Sequence, residues 1–332
     1  MLLTGMHRSM TSLAARTLNL AGLSLGPEER LHEPDGCNPA GYWEYSDVVD
    51  LHDQILHSLG RRWDTALALP AGWLERSAVI ELKAELQRIV DRETKRNSVW
   101  LLKDPRASLL LPLWQEIGEA LDVAVHYVAC IRHPLDVANS LFSRDDLPLH
   151  HGCAIWLNYN LAILAAAKRR PAHLIAAQDW VEAPAETAAS LLTKLFQGAS
   201  YAGRASRPFP NPVRRDLVHW TRADQQDCHE ICPRSAALWE ALKQQTTGKA
   251  DSGSVEQVDL LIQEHSQLSR HYELDFLRVR KEFESLRHHH QALQAEHSQH
   301  RLASEEYVAD LRAHLARKER ELVQAMSAQA SQ

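Results

Sequence analysis

The sequence predicts an α/β fold: a parallel sheet flanked by helices, with a P-loop-like anion-binding loop after the first strand, followed by a long C-terminal helix or coiled coil. Three observations predict it. Short apolar runs alternate with helix-length segments through residue 245, the pattern of a parallel sheet covered on both faces. Cation-bearing motifs follow those runs directly, and parallel sheets bind ligands at the carboxyl ends of their strands. From Val255 to Gln332 the chain has no Gly, Pro, Cys or Trp and is rich in Glu, Gln, His, Leu, Arg and Ala, a long-helix composition.

Taken in order, Leu2-Leu3-Thr4 is a strand that runs into a turn at Gly5, then a helix from about Thr11 to Leu23. The chain opens only four residues before Gly5, so this strand is expected to be short. Ser98 to Lys103, Val123 to Ile131 and His173 to Ala177 are further strands. Helices are expected over 74–94, 107–121, 135–143, 152–169 and 184–197. The run Thr246 to Ser254 is small and polar and reads as a flexible joint. The expected organisation is therefore a domain over 1–245, a linker over 246–254 and a tail over 255–332. Tail seam positions Phe276, Val279, Phe283, Leu286, His290 and Leu293 are spaced by threes and fours. The pattern weakens at His297 and His300, then resumes out of register at Val308, Leu311, Leu315 and Leu322, as in an interrupted coiled coil. Such a tail implies a homo-oligomer or a partner helix; a frayed single helix is the alternative.

Composition excludes several classes. Hydrophobic residues make up 45% and charged residues 24%, which excludes wholesale disorder. A formal charge of -6, from 37 Lys+Arg against 43 Asp+Glu, argues against a general nucleic-acid binder. No uncharged apolar run approaches the ~18 residues of a transmembrane helix. The N-terminus has no apolar core of signal-peptide length before its first charges. Five scattered cysteines, Cys37, Cys130, Cys153, Cys228 and Cys232, are not a disulfide framework, so a reducing cytoplasm is expected.

Three motifs follow strands. Gly5-Met-His-Arg-Ser-Met-Thr-Ser12 opens the first helix, whose N-terminus offers unpaired N–H groups to an anion. Arg8 adds a guanidinium fork, and Ser9, Thr11 and Ser12 add hydroxyls. The Gly-Lys-Ser/Thr ending of a Walker A loop is absent. Arg132-His-Pro-Leu-Asp-Val-Ala-Asn-Ser140 puts an Arg at a strand end and a hydroxyl two helical turns on, a second anion site or else an Arg132–Asp136 pair. Lys103-Asp-Pro-Arg106 puts two cations at another strand end, or else forms a surface turn with an internal Lys–Asp pair. Cys228 and Cys232 lie four residues apart but a zinc site needs two further ligands, and the His288-His-His290 run reads as a solvated helix face.

Together these motifs resemble the sulfotransferases that use 3′-phosphoadenylyl sulfate (PAPS). Gly-x-x-Arg-Ser-x-Thr-Ser is similar to that family's 5′-phosphosulfate loop, and Arg132 with Ser140 to its 3′-phosphate motif. Three runs resemble the bacterial, polysaccharide-associated members: Asn38-Pro-x-Gly-Tyr-Trp-Glu44, Lys103-Asp-Pro-Arg106 followed by Leu-Pro-Leu-Trp114, and Arg-His-Pro-Leu-Asp-Val-Ala-x-Ser-Leu141. The resemblance covers residues 1–240. It implies transfer of a sulfuryl group from PAPS, by in-line displacement and without a metal, to an acceptor hydroxyl, of a carbohydrate on family grounds. It implies Arg8, Ser9, Met10, Thr11, Ser12, Arg132, Ser140 and Arg214 as donor-binding residues. Arg8 and Lys103 stabilise the leaving oxygen, and Glu44 is the general base, with His7, Glu33, Asp35 and His52 as rivals. Two departures stand out: Met10 occupies a position where the family has Gly, and only Arg214-Arg215 stands for its late basic element. The alternatives are a P-loop kinase or nucleotide hydrolase, against which the missing Walker ending argues, and a catalytically inactive coiled-coil adaptor.

Overall fold

The computed structural model describes residues 1–36, 38–196, 209–214, 228–246 and 252–329. Four strands form one parallel sheet: β1 (Leu2–Thr4), β2 (Leu102–Lys103), β3 (Tyr127–Ile131) and β4 (Ala172–Ala176), in the order β2-β1-β3-β4. Leu2 pairs with Leu102 on one side and Tyr127 on the other, and Ala129 pairs with Leu174. Strand β1 has the expected bounds, β2 and β3 are shorter than the apolar runs that announced them, and β4 is displaced by one residue.

Alternation along the strands builds two cores. Leu2, Leu102, Tyr127, Ala129 and Ile131 face one; Leu3, Leu101, Val128 and Cys130 face the other. The first face is covered by α2 (Ser46–Ser58), α3 (Ser77–Arg96), α4 (Leu111–Leu121), α5 (Pro134–Asp145) and α6 (Leu149–Ala167). The second is covered by α1 (Thr11–Leu20), α7 (Ala177–Glu182) and α8 (Pro184–Leu195). Helix α6 is apolar all round because it is buried on all sides, with Ile155, Trp156 and Tyr159 fully enclosed. A Cβ at Gly152 would sit 2.9 Å from the Cα of Ala138, so glycine there lets α5 and α6 pack backbone to backbone.

Two sequence expectations need correction. Helix α2 was absent from the expected elements, although Val48, Val49, His52, Ile55 and Leu56 trace one helical face. The chain over 46–58 follows a run of turn formers that masked its periodicity. The expected joint also differs: Thr246 ends α10 (Pro233–Thr246), and Ser252–Ser254, read as linker, already form the first turn of α11 (Ser252–Gln329), which follows the short α9 (Cys228–Ile231).

The chain divides into two compact units, Met1–His271 and Tyr272–Gln332. The first takes in the start of α11, because Val258 and Leu261 are buried in the core and His265 Nε2 lies 2.9 Å from Asn158 Oδ1. In the second unit α11 continues to Gln329, and the seam residues Val279, Leu286, Leu293 and Leu311 are exposed. The side chains of Phe276, Phe283, His290, Val308, Leu315 and Leu322 lie outside the described residues. No helix is long and apolar enough to cross a membrane among the described residues.

Candidate active site

From β1 the chain crosses to β2 on one side; from β3 it continues to β4 on the other. Helix α1 leaves β1 towards one face and α5 leaves β3 towards the opposite face. A crevice therefore opens between the carboxyl ends of β1 and β3, the place where open α/β sheets bind ligands.

The loop after β1 lies against β3. Gly5 has φ +126°, and a Cβ there would be 2.5 Å from the carbonyl oxygen of Cys130, so only glycine fits. Its N–H donates to Ser108 Oγ at 3.0 Å. Arg8 (φ 67°) and Met10 (φ 63°) are left-handed, at a cost of roughly 1–2 kcal/mol each for a residue with a Cβ. Met10 is the N-cap of α1 and makes no side-chain cap. Position 10 is left-handed, so the strain is local to Met10.

Two cations meet at the crevice. Arg132 Nη1 donates to the backbone oxygen of Arg8 at 2.7 Å, and Arg8 Nε donates to Ser140 Oγ at 2.7 Å. Trp156 Nε1 donates to the carbonyl of Arg132 at 2.9 Å and fixes the end of β3. The ring of His133 caps α5 by accepting from the N–H of Leu135. Burial lowers the Arg132 guanidinium to about 10, with Asp136 opposing and Arg8 adding to the shift. Asp136 stands 3.9 Å away, so the Arg132–Asp136 pair coexists with the grip on the loop.

The third motif is buried rather than a surface turn. Lys103 Nζ donates to Glu44 Oε1 at 2.5 Å, to the carbonyl of Tyr42 at 3.0 Å and to Ser12 Oγ at 3.3 Å. Asn38 Nδ2 donates to the same Ser12 oxygen at 3.3 Å and to Gly41 O at 2.9 Å. Ser12 and Lys103 thus bind the turn over 38–44 to α1. Arg106 lies 3.5 Å from Glu44 Oε2, 3.1 Å from Asp104 Oδ1 and 2.8 Å from Asp53 Oδ1. Burial alone would push the Asp104 carboxyl up, but the Arg106 charge and the His52 hydrogen bond hold it well below the usual carboxylate range.

His52 is excluded as a base by its contacts. Trp114 Nε1, which can only donate, reaches His52 Nε2 at 3.0 Å, so Nδ1 carries the proton and donates to Asp104 Oδ2 at 2.7 Å. Both ring nitrogens are occupied and the side chain is fully buried. Asp35 accepts from the Tyr42 hydroxyl in both oxygens, and Glu33 is exposed.

Arg8, Met10, Thr11, Ser12, Glu44, Lys103, Arg132, Ser140 and Arg214 line one cavity. Ser9 does not: its hydroxyl is buried with no hydrogen-bond partner among the described residues. Arg215 and Cys37 lie outside the described residues. The cavity also takes in Trp43 of the Asn38–Glu44 run and two residues the sequence did not single out, Arg16 and Arg144. Arg16 lies 4.7 Å over the ring of Trp43, and Arg144 5.4 Å over that of Trp63. Arg16 follows Ser12 by one helical turn, a spacing that points to the same face; Arg144 and Trp63 carry no sequence signal. Cys153, Cys228 and Cys232 cluster away from the cavity, in a separate small core. No group of His, Cys, Asp or Glu suited to a metal ion occurs among the described residues.

No protein-family model matches the chain, and no curated protein matches it. Among solved structures it is similar to the sulfotransferase domain from the Synechococcus PCC 7002 olefin synthase, at 16% identity and a TM-score of 0.36, covering 72% of this chain and 86% of that one. It is also similar to the sulfotransferase domain from the curacin biosynthetic pathway, at 17% identity and a TM-score of 0.37, covering 78% and 96%.

Proposed function

We propose that the chain is a sulfotransferase that takes a sulfuryl group from PAPS and passes it to an acceptor hydroxyl, of a carbohydrate or a similar alcohol. The observation that carries this reading is the linkage of Arg132, Arg8 and Ser140 between β1 and β3. Two anion grips stand side by side there, one on the helix N-terminus of α1 and one at the end of β3, as a nucleotide with two separate phosphate groups requires. Arg132, Ser140 and Arg214 hold the 3′-phosphate. Thr11, Ser12 and the first-turn N–H groups beside Met10 hold the phosphosulfate.

The acceptor oxygen attacks sulfur in line, the sulfur–oxygen bond to the phosphate breaks, and its electron pair stays on the leaving adenosine 3′,5′-bisphosphate. Arg8 and Lys103 stabilise the charge that builds on that oxygen, a single such donor being worth about 3 kcal/mol. Glu44 keeps Lys103 aimed at the cavity through one carboxylate oxygen, while its other oxygen faces Arg106 at 3.5 Å. The tail is read as a coiled coil that joins a second copy of the chain, and the protein as cytoplasmic.

Calorimetry tests the donor. Adenosine 3′,5′-bisphosphate is expected to bind and Mg–ATP not to. Tight binding of Mg–ATP in preference to the bisphosphate would favour a kinase or hydrolase, and binding of neither would favour an inactive adaptor.

A further inference from the structure

A hydroxyl cannot attack sulfur without losing its proton, and the cavity limits where the proton goes. Of the described lining residues, two carry a group with the basicity for it, Glu44 and His7. Glu44 is committed: one oxygen accepts from Lys103 and the other faces Arg106 at 3.5 Å. His7 is not. Its Nε2 is buried and meets no hydrogen-bond partner among the described residues. The ring is held by shape alone, tilted against Trp63 at 4.8 Å between centroids and edge-on to Tyr159 at 6.0 Å. Tyr159 in turn donates to the carbonyl of Trp63 at 2.8 Å, so this wall is firmly built. A buried imidazole with an uncommitted nitrogen in a site of reactive geometry is uncommon, because an unpartnered polar atom there costs about 1–3 kcal/mol.

Its surroundings are cationic. Burial holds the imidazole well below its ordinary value, Arg106, Arg144 and Lys103 push it further down, and Asp104 alone opposes them. In the empty site His7 is a neutral but feeble base. A bound PAPS brings several negative charges into the same cavity, which is the condition that reverses the field.

Resting on the sulfotransferase reading, we propose that His7 takes the proton from the attacking hydroxyl, and that it becomes competent only when the anionic donor fills the cation-lined cavity. The hydroxyl's O–H bond breaks as its oxygen bonds to sulfur, the proton passes to the His7 imidazole, and the leaving phosphate oxygen keeps the electron pair of the broken sulfur bond. When the nucleotide departs, the restored cationic field expels the proton to solvent, so each cycle resets the base.

The test uses the full chain with histidine labelled for NMR, titrated with pH in the absence and presence of adenosine 3′,5′-bisphosphate. The His7 resonance, assigned by its loss in His7→Gln, is expected to titrate at a clearly higher pH with nucleotide bound. In parallel, PAPS cleavage by water is compared in the wild type, His7→Gln and Glu44→Gln. His7→Gln is expected to be at least tenfold slower with unchanged affinity for the bisphosphate. A midpoint that nucleotide leaves in place, or a His7→Gln protein that cleaves PAPS as fast as the wild type, overturns the proposal. Loss of activity in Glu44→Gln alone would assign the proton to Glu44. Failure of the bisphosphate to bind the wild type would instead overturn the sulfotransferase reading itself.

Discussion

The side chain of Arg132 donates to the backbone carbonyl of Arg8, 2.7 Å away, so the cation at the end of β3 also braces the loop at the end of β1. Replacing Arg132 by Ala removes both functions. Loss of a charge-assisted hydrogen bond costs about 1.5–3 kcal/mol, which is roughly ten- to a hundredfold in affinity for adenosine 3′,5′-bisphosphate. Adenosine 5′-phosphate, which lacks the group Arg132 is read to hold, is expected to lose far less. Calorimetry with the two nucleotides checks this, and equal losses would remove Arg132 from the 3′-phosphate site.

Arg8 is expected to behave differently. Its Nε rests on Ser140, and on the proposed reading its charge meets the transferring group. Arg8→Ala should slow PAPS cleavage more than it weakens bisphosphate binding, because the charge it meets is largest in the transition state. Single-turnover rates set against calorimetric affinities separate the two; a pure affinity defect would place Arg8 on the bound nucleotide only.

Much of this site was legible in the sequence because strand-end motifs report a crevice directly. Gly5, Arg8, Ser12, Lys103, Arg132 and Ser140 each follow an apolar run at short range, and a parallel sheet gathers such positions. The rest depends on contacts of long range. Nothing in the local sequence of His52 says that Asp104 and Trp114 will occupy both of its nitrogens. Nothing local brings Trp63 to His7, since residue 63 sits in a loop placed by α6. The Lys103–Glu44 pair spans 59 positions, and the sequence pointed to both residues without joining them.

Met10 carries the cost of a left-handed side chain at a helix cap. Met10→Gly is expected to stabilise the protein by up to about 1 kcal/mol, the relieved strain being partly offset by the freer unfolded chain. Urea unfolding measures it, and a destabilised Met10→Gly protein would mean that the Met side chain contributes packing larger than the strain.

Truncation separates the two units. A chain ending at residue 271 keeps Val258, Leu261, His265 and the Ser269 hydroxyl that accepts from the N–H of Ala68 at 2.9 Å. One ending at 251 loses them, and two buried aliphatic side chains alone are worth about 3 kcal/mol or more. The shorter chain should unfold at clearly lower urea, whereas a joint at 246–254 would make the two equally stable. Light scattering on the full chain against the 271-residue form tests self-association by the tail; identical monomeric masses would sink it.

His265 makes stability fall in acid. Burial, with Arg234 adding, lowers its imidazole to about 4 from an ordinary 6.5. The unfolded chain therefore takes up the proton first as pH falls, and stability present above pH 6.5 is lost progressively down to about pH 4. The loss is on the order of 3 kcal/mol. His265→Gln can still donate to Asn158 but does not titrate, so its urea midpoint should change less over that range. A variant with the wild-type pH dependence would move the effect to another group.

The two helices at the proposed anion grips are rooted in different cores, α1 among Ala14, Ala15 and Leu18 on one face and α5 with Val137 and Leu141 on the other. A ligand that engages both therefore staples the two layers across the sheet, and the layers in turn set the span between its charges. Damage deep in either layer, remote from the crevice, will be felt as a mismatch of span: a molecule with one phosphate is still held, and one with two is held no better than the first.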